Sequence, residues 1–145
     1  MRVYLAGLID NDNKESSTRW REKASTFLKK HCMTPVNPLR GKDYSAWGSY
    51  EPNEIVDRDL MDINNCDLII ANMTIFENGR KIPFGTPCEI MYAYTLGKPT
   101  IFISNNEKLR NHYWVRRLCS KVHTNLDEAL DYIVAWYKEE PNVMA

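Results

Sequence analysis

The run CDLIIANM, residues 66–73, is apolar at nearly every position and sits between two stretches with helical patterning. A strand with one wet face alternates polar and apolar residues. A run without that alternation suits a strand covered on both faces, as in a parallel sheet flanked by helices. The run therefore restricts the chain to α/β architectures. Before it, residues 53–64 repeat apolar side chains at helical spacing, with Ile55, Val56, Leu60 and Ile63 assigned to the buried face. After it, a polar loop leads to Gly85-Thr86-Pro87. This turn opens a helix over residues 86–96, with Glu89 in its first turn and Gly97 as its C-cap.

The remaining elements follow the same logic. RVYLAG at residues 2–7 is β-rich, stops at Gly7 and reads as a first strand. Residues 8–17 are polar and read as a loop. Residues 18–30 place Trp20, Ala24, Phe27 and Leu28 at helical spacing. Ser16, Ser17 or Thr18 is the cap, and Glu22 suits a capping box starting near Thr18 or Arg19. A second strand over 33–37 ends at Pro38, and residues 39–52 form a loop carrying Gly41, Tyr44, Trp47, Gly48 and Tyr50. Further strands are expected over 67–73, 99–104 and 121–123, with helices over 108–119 and 126–138, the last capped by Asn125. Strands alternating with helices predict a three-layer α/β sandwich, a parallel sheet with helices on both faces. It would be a single domain over 1–145, with a mainly parallel sheet of about five strands.

Charge and cysteine content narrow the function classes. Lys+Arg and Asp+Glu both number 19, so no broad basic field exists for nucleic acid. Cys32, Cys66, Cys88 and Cys119 are scattered, and no Cys or His spacing matches a metal site. Cys66 and Cys88 lie in apolar surroundings and read as buried free thiols, which fits a reducing cytoplasm. RVYLAGLI is too short for a signal-peptide core, and no segment reaches transmembrane length.

Chemistry-bearing residues gather around the carboxyl ends of the predicted strands, where open α/β sheets place their sites. Glu89 is flanked by Pro87, Cys88, Ile90 and Met91 and follows Gly85, where a ligand can approach the backbone. Its bland reading is a first-turn glutamate complementing the helix dipole. Of Asp57, Asp59 and Asp62, the first and last read as a solvated face, while Asp59 lies beside the buried stripe. Asp67 starts a strand and reads as a local cap or turn residue. Tyr4 points to the opposite face from Val3 and Leu5, and its hydroxyl could reach a carboxylate there. The Gly7 loop lacks GxGxxG and GxxxxGK[ST], and Asp10 and Asp12 would repel phosphate. Arg19, Arg21, Arg40 and Lys42 are the available anion contacts, the first two more simply read as exposed helix charges. Trp47 and Tyr50 could stack on a base. His31, His112 and His123 have no metal or triad spacing.

These residues together resemble the nucleoside 2-deoxyribosyltransferase family, especially its short phage and bacterial members. The matching pieces are VYLAG, WRE at 20–22, NPLRGK at 37–42, RDLMDINNCDLIIANM at 58–73 and FGTPCEIMYAYTLGKPTIFI at 84–103. The resemblance implies a flavodoxin- or Rossmann-like fold and double displacement: Glu89 attacks C1′ of a deoxyribose, and a second base or water resolves the ester. It also implies that Tyr4 orients the nucleophile and that Asp59 contacts substrate and helps proton transfer. Gly7, Gly85, Thr86, Trp47, Arg40 and Asn111 become substrate contacts, Asn111 across a subunit boundary. No metal or organic cofactor is implied. The partners would be a small nucleoside or nucleotide, a free nucleobase and further copies of the chain, not nucleic acid or membrane. Pro83 departs from the pattern. Many transferases carry an aspartate there, and related deoxynucleotide hydrolases a phosphate-contacting serine. Base protonation then falls to Asp59 or to an acid in the 76–82 loop such as Glu77. The acidic Gly7 loop favours a nucleoside over a nucleotide. A 5′-monophosphate N-glycosidase and a non-catalytic nucleotide-binding module are the alternatives.

Overall fold

The structure, a computed structural model, describes residues 1–10, 14–43, 49–75 and 83–139. Among the described residues there are five strands: β1 (Arg2–Gly7), β2 (Thr34–Val36), β3 (Leu68–Asn72), β4 (Thr100–Ile103) and β5 (Lys121–His123). They form one all-parallel sheet in the order β2-β1-β3-β4-β5. Between and after them run α1 (Lys14–Lys30), α2 (Pro52–Asn64), α3 (Gly85–Thr95), α4 (Glu107–Arg110), α5 (Tyr113–Leu118) and α6 (Leu126–Tyr137). This strand order reverses direction next to β1, which creates a crevice at the carboxyl ends of β1 and β3.

The two sheet faces divide the core by strand alternation. Val3, Leu5, Leu68, Ile70, Ile101 and Ile103 pack against Trp20, Ala24 and Leu28 of α1 and Ala129, Leu130 and Ile133 of α6. On the other face Tyr4, Ala6 and Ile69 meet Ile63 of α2 and Ala93 of α3, while Ala71 and Phe102 meet Ile90. All five residues of β3 are buried, as its unbroken apolar character requires. β1 and β3 are in register from Val3 beside Leu68 to Gly7 beside Asn72. A Cβ on Gly7 would stand 2.8 Å from both the Asn72 carbonyl oxygen and Trp20 Cζ2, so only glycine lets α1 pack this close.

Several expectations need correction. Helix α1 begins at Lys14, so part of the expected 8–17 loop is helical and the caps proposed at residues 16–19 lie inside it. Only Ile63 of the four assigned α2 residues is buried, and Val56 is half exposed. The helix instead turns Asp62 inward, for a reason given below. Residues 108–119 hold two short helices, because Asn106 and His112 each cap a new turn through the N–H groups of Leu109 and Trp114. Cys88 is exposed, whereas Cys66 is buried. Gly97 does end α3, at φ +71°, with Lys98 N–H on the Ala93 carbonyl and Gly97 N–H on that of Tyr94. Among the described residues, no helix is long and apolar enough to cross a membrane.

Candidate active site

Tyr4 lies in the middle of β1, fully buried on the face covered by α2 and α3. Its hydroxyl donates to Glu89 Oε2 at 2.5 Å. The sheet thus joins two residues 85 positions apart in sequence. Glu89 is the fifth residue of α3, in its second turn. The expected first-turn placement, and with it the dipole reading, is corrected: the favourable helix-end field is confined to the first turn. Burial is the main influence on the Glu89 carboxyl and pushes its pKa up to about 7, against the opposing bond from Tyr4. The nearby Asp59 charge pushes the same way. Burial also raises the Tyr4 hydroxyl far above the ordinary tyrosine range, with Glu89 and Asp59 adding to the effect. The proton therefore stays on the tyrosine, and Glu89 is the group that titrates near neutrality.

Asp59 comes from α2 and is mostly buried. Lys42 Nζ stands 3.5 Å from its Oδ1, with only 5% of the Lys42 side chain exposed. Burial raises the Asp59 pKa while Lys42 opposes it, and burial lowers that of Lys42 while Asp59 opposes it. The site is thus a hydroxyl, two carboxyls and an ammonium, with Lys42 felt at Glu89 as well.

A strap holds Lys42 in place. The chain turns at residues 37–42, with Arg40 N–H on the Asn37 carbonyl, Lys42 N–H on that of Leu39, and Gly41 at φ +69°. Arg58 of α2 donates to the carbonyls of Pro38 and Arg40, at 2.5 and 2.9 Å. Arg40 in turn grips Asp62 in a two-pronged bridge at 2.6 and 2.7 Å. Asp62 is buried by this bridge, which corrects its expected solvated placement; Asp57 is exposed as expected.

Arg21 is corrected further. It is wholly buried, and its guanidinium donates to the carbonyls of Leu5, Gly7, Leu8 and Ser17. The carbonyls of Leu5, Gly7 and Leu8 lie in β1 or just past its end, so Arg21 ties α1 to the strand end. Arg19 is exposed and pairs with Glu15. Asp10 is buried, its N–H on Ser17 Oγ. Asp67 accepts the backbone N–H of Arg2.

The remaining candidates divide. Gly85 is exposed, with open space where a Cβ would stand. Thr86 is buried, and its hydroxyl finds no hydrogen-bond partner among the described residues. Asn111 ends α4, exposed, accepting from Arg116 at 2.9 Å. Tyr50 accepts the Asp43 N–H. Trp47, Tyr44, Asp12 and Glu77 lie outside the described residues. Beside α3, an apolar groove of ≈ 360 Å³ runs between Met73, Ile90, Met91, Phe102 and Trp114. Exposed Phe84 and Tyr113 belong to α3's start and to α5. Lys42 was foreseen only as an anion contact; its signal was the PLRGK turn. Arg58 carried no signal, because its partners are carbonyls of a loop distant in sequence.

The sheet is doubly wound and parallel, and the tyrosine-bound Glu89, its pKa raised by burial, stands near the switch point where such α/β folds place their ligands. The model of the family described as nucleoside 2-deoxyribosyltransferase matches residues 3–144, and this chain belongs to that family. No curated protein sequence matches it. Among solved structures it is similar to a 2-desoxiribosyltransferase from Leishmania mexicana, with TM-score 0.68 and 18% identity over 94% of this chain and 98% of that one. A 2-deoxyribosyltransferase from Bacillus psychrosaccharolyticus has TM-score 0.68 and 20% identity over 91% and 92%. A CMP N-glycosidase from Clostridium botulinum has TM-score 0.62 and 21% identity over 94% and 100%. At these identities the structures show a shared fold.

Proposed function

We propose that the chain transfers a 2-deoxyribosyl group between nucleobases through a covalent ester on Glu89. The Tyr4–Glu89 pair carries this reading. Tyr4 occupies Oε2 and leaves Oε1 to attack, and an ionisation midpoint near 7 keeps the carboxylate reactive at neutral pH. As a C1′–Oε bond forms, the C1′–N bond breaks and its electron pair leaves with the base. A second base then attacks C1′ through its ring nitrogen, loses that nitrogen's proton and frees the carboxylate. Water in place of the second base gives hydrolysis. Asp59 contacts the substrate, and Gly7, Gly85, Thr86, Trp47 and Asn111 are proposed around it.

The engagement of the basic residues supports a nucleoside substrate over a 5′-monophosphate. Arg21 is committed to backbone carbonyls, Arg40 to Asp62 and Lys42 to Asp59. Arg40 therefore acts by holding its loop rather than by meeting substrate. We further propose a homo-oligomer with shared sites, supported by the apolar groove beside α3 and by exposed Tyr113 and Trp114. The four free thiols support a cytoplasmic setting.

The test is chromatography of reactions containing a deoxynucleoside or its 5′-monophosphate, with and without a second base. A new nucleoside formed only with the acceptor is the expected result, abolished in Glu89→Gln. Base released without an acceptor makes the enzyme a hydrolase, and turnover of the monophosphate alone overturns the substrate choice. Tight binding without turnover, unchanged in Glu89→Gln, makes it a binding module.

A further inference from the structure

Gly7 and Asn72, the last residues of β1 and β3, lie side by side in register. They form the floor of the crevice at the switch point, where such sheets receive their ligands. Asn72 is only 6% exposed. Its Oδ1 accepts the Thr74 N–H at 3.1 Å and the Thr74 hydroxyl at 2.6 Å. A backbone N–H only donates, so the atom facing it is the oxygen and the orientation of the amide is fixed. Nδ2 lies at the other end of the same plane, and its N–H groups meet no acceptor among the described residues. Buried polar groups are nearly always paired. The clamp is itself held. Met73 N–H reaches the Ile103 carbonyl at 2.7 Å, Ser104 Oγ donates to the Met73 carbonyl, and Ile75 and Asn105 exchange two hydrogen bonds at 2.9 Å. The segment after β3 is thus pinned to the end of β4, and the Asn72 donors are set before a ligand arrives.

Position decides what they meet. Gly7 and Asn72 stand three residues beyond Tyr4 and Ile69, a rise of about 10 Å. Alternation sets Asn72 with Leu68 and Ile70 on the α1 side of the sheet, whereas Tyr4 and Glu89 stand on the α3 side. A carbon attacked by Glu89 comes within about 3–3.5 Å of that carboxylate, so Asn72 lies too far off to touch the reacting bond. The nucleophile and the leaving group sit on opposite sides of C1′, so the base extends away from Glu89, across the crevice. We propose that Asn72 reads the far edge of the departing base and selects an oxo over an amino substituent there. Resting on the proposed transfer reaction, this names the class of base. An amide with a free oxygen can pair with an amino group, as in adenine readout. Asn72 has its oxygen engaged by Thr74 and offers donors only. It therefore pairs with the carbonyl of a pyrimidine-2,4-dione or a 6-oxopurine and opposes donor to donor against a 4-amino or 6-amino group.

The experiment measures kcat/KM on 2′-deoxyuridine against 2′-deoxycytidine and on 2′-deoxyinosine against 2′-deoxyadenosine, for wild type, Asn72→Asp and Thr74→Val. Wild type should favour the oxo member of each pair it turns over. Asn72→Asp keeps the shape and the Thr74 bonds but presents an acceptor, so the oxo-to-amino ratio should fall about 10-fold or more. A ratio taken on one enzyme cancels any effect of the new charge on Glu89. Thr74→Val removes the hydroxyl clamp and lets the amide turn, so the ratio should narrow about 2- to 5-fold. That variant serves if the aspartate variant does not fold. A wild-type preference for the amino members, or a ratio unmoved in the folded variants, overturns the role of Asn72 while glycosyl transfer stands. Absence of turnover by wild type on every nucleoside overturns the transfer reading, and this inference with it.

Discussion

Replacing Tyr4 with phenylalanine keeps the ring that fills the core under α2 and α3 and removes only the hydroxyl. That hydroxyl donates to Glu89 Oε2 at 2.5 Å and is the strongest influence holding down the carboxyl's ionisation midpoint. A hydrogen bond to a charged group is worth about 1.5–3 kcal/mol, and 1.36 kcal/mol corresponds to one pKa unit. The midpoint should therefore climb from about 7 to about 8–9. At pH 7 the ionised share falls from about half to between roughly a tenth and a hundredth. In the proposed reaction only the carboxylate attacks C1′, so kcat/KM at neutral pH should drop about 5- to 50-fold and recover as pH rises. The assay is a kcat/KM profile on 2′-deoxyuridine from about pH 5 to about pH 10, with thermal melts to confirm folding. An acid limb that stays put in the variant refutes the reasoning. So does a loss uniform across pH, which would mean the hydroxyl acts on geometry alone.

Two further predictions concern stability. Glu89 has a folded pKa raised above its ordinary 4.5 to about 7, so the folded state holds more protons than the unfolded state between those values. Stability contributed by this group is full below about pH 4.5 and is lost as pH rises through about 7. Glu89→Gln should thus match wild type near pH 4 and exceed it at pH 8, by on the order of 1–3 kcal/mol in urea melts; equal stability at both pH values contradicts the assigned burial. Cys32 sits at φ +61° one residue beyond the cap of α1, with its N–H on the Lys29 carbonyl and that of Met33 on Leu28. Glycine suits that position, so Cys32→Gly should stabilise the fold by about 0.5–1 kcal/mol, a melting-temperature rise of roughly 1–3 °C; a fall would show that the Cys32 side chain matters more than its backbone angle.

Elements with a strong local pattern are legible in the sequence. β3 announced itself as doubly covered, α6 by its period and its Asn125 cap, and α3 by Gly97. The alternation of RVYLAG placed Tyr4 opposite Val3 and Leu5, and the two clusters separate as that pattern requires. What failed did so for tertiary reasons. Arg21 and Asp62 look like ordinary surface charges in a helical register. Their burial depends on partners elsewhere: carbonyls at the end of β1 for one, Arg40 for the other. Charged residues are almost never buried without such partners, and partners distant in sequence leave no local mark. The register of α2 was misjudged for the same reason, since the buried Asp62 displaces the apolar stripe expected there.

One turn of α2 links the fold to the chemistry. Arg58 holds the loop carbonyls, Asp62 holds Arg40, and Asp59, between them, faces Lys42. The loop after β2 could have stood away from the sheet, with Lys42 in water. Two arginine contacts to one helix instead press it against the carboxyls of the site.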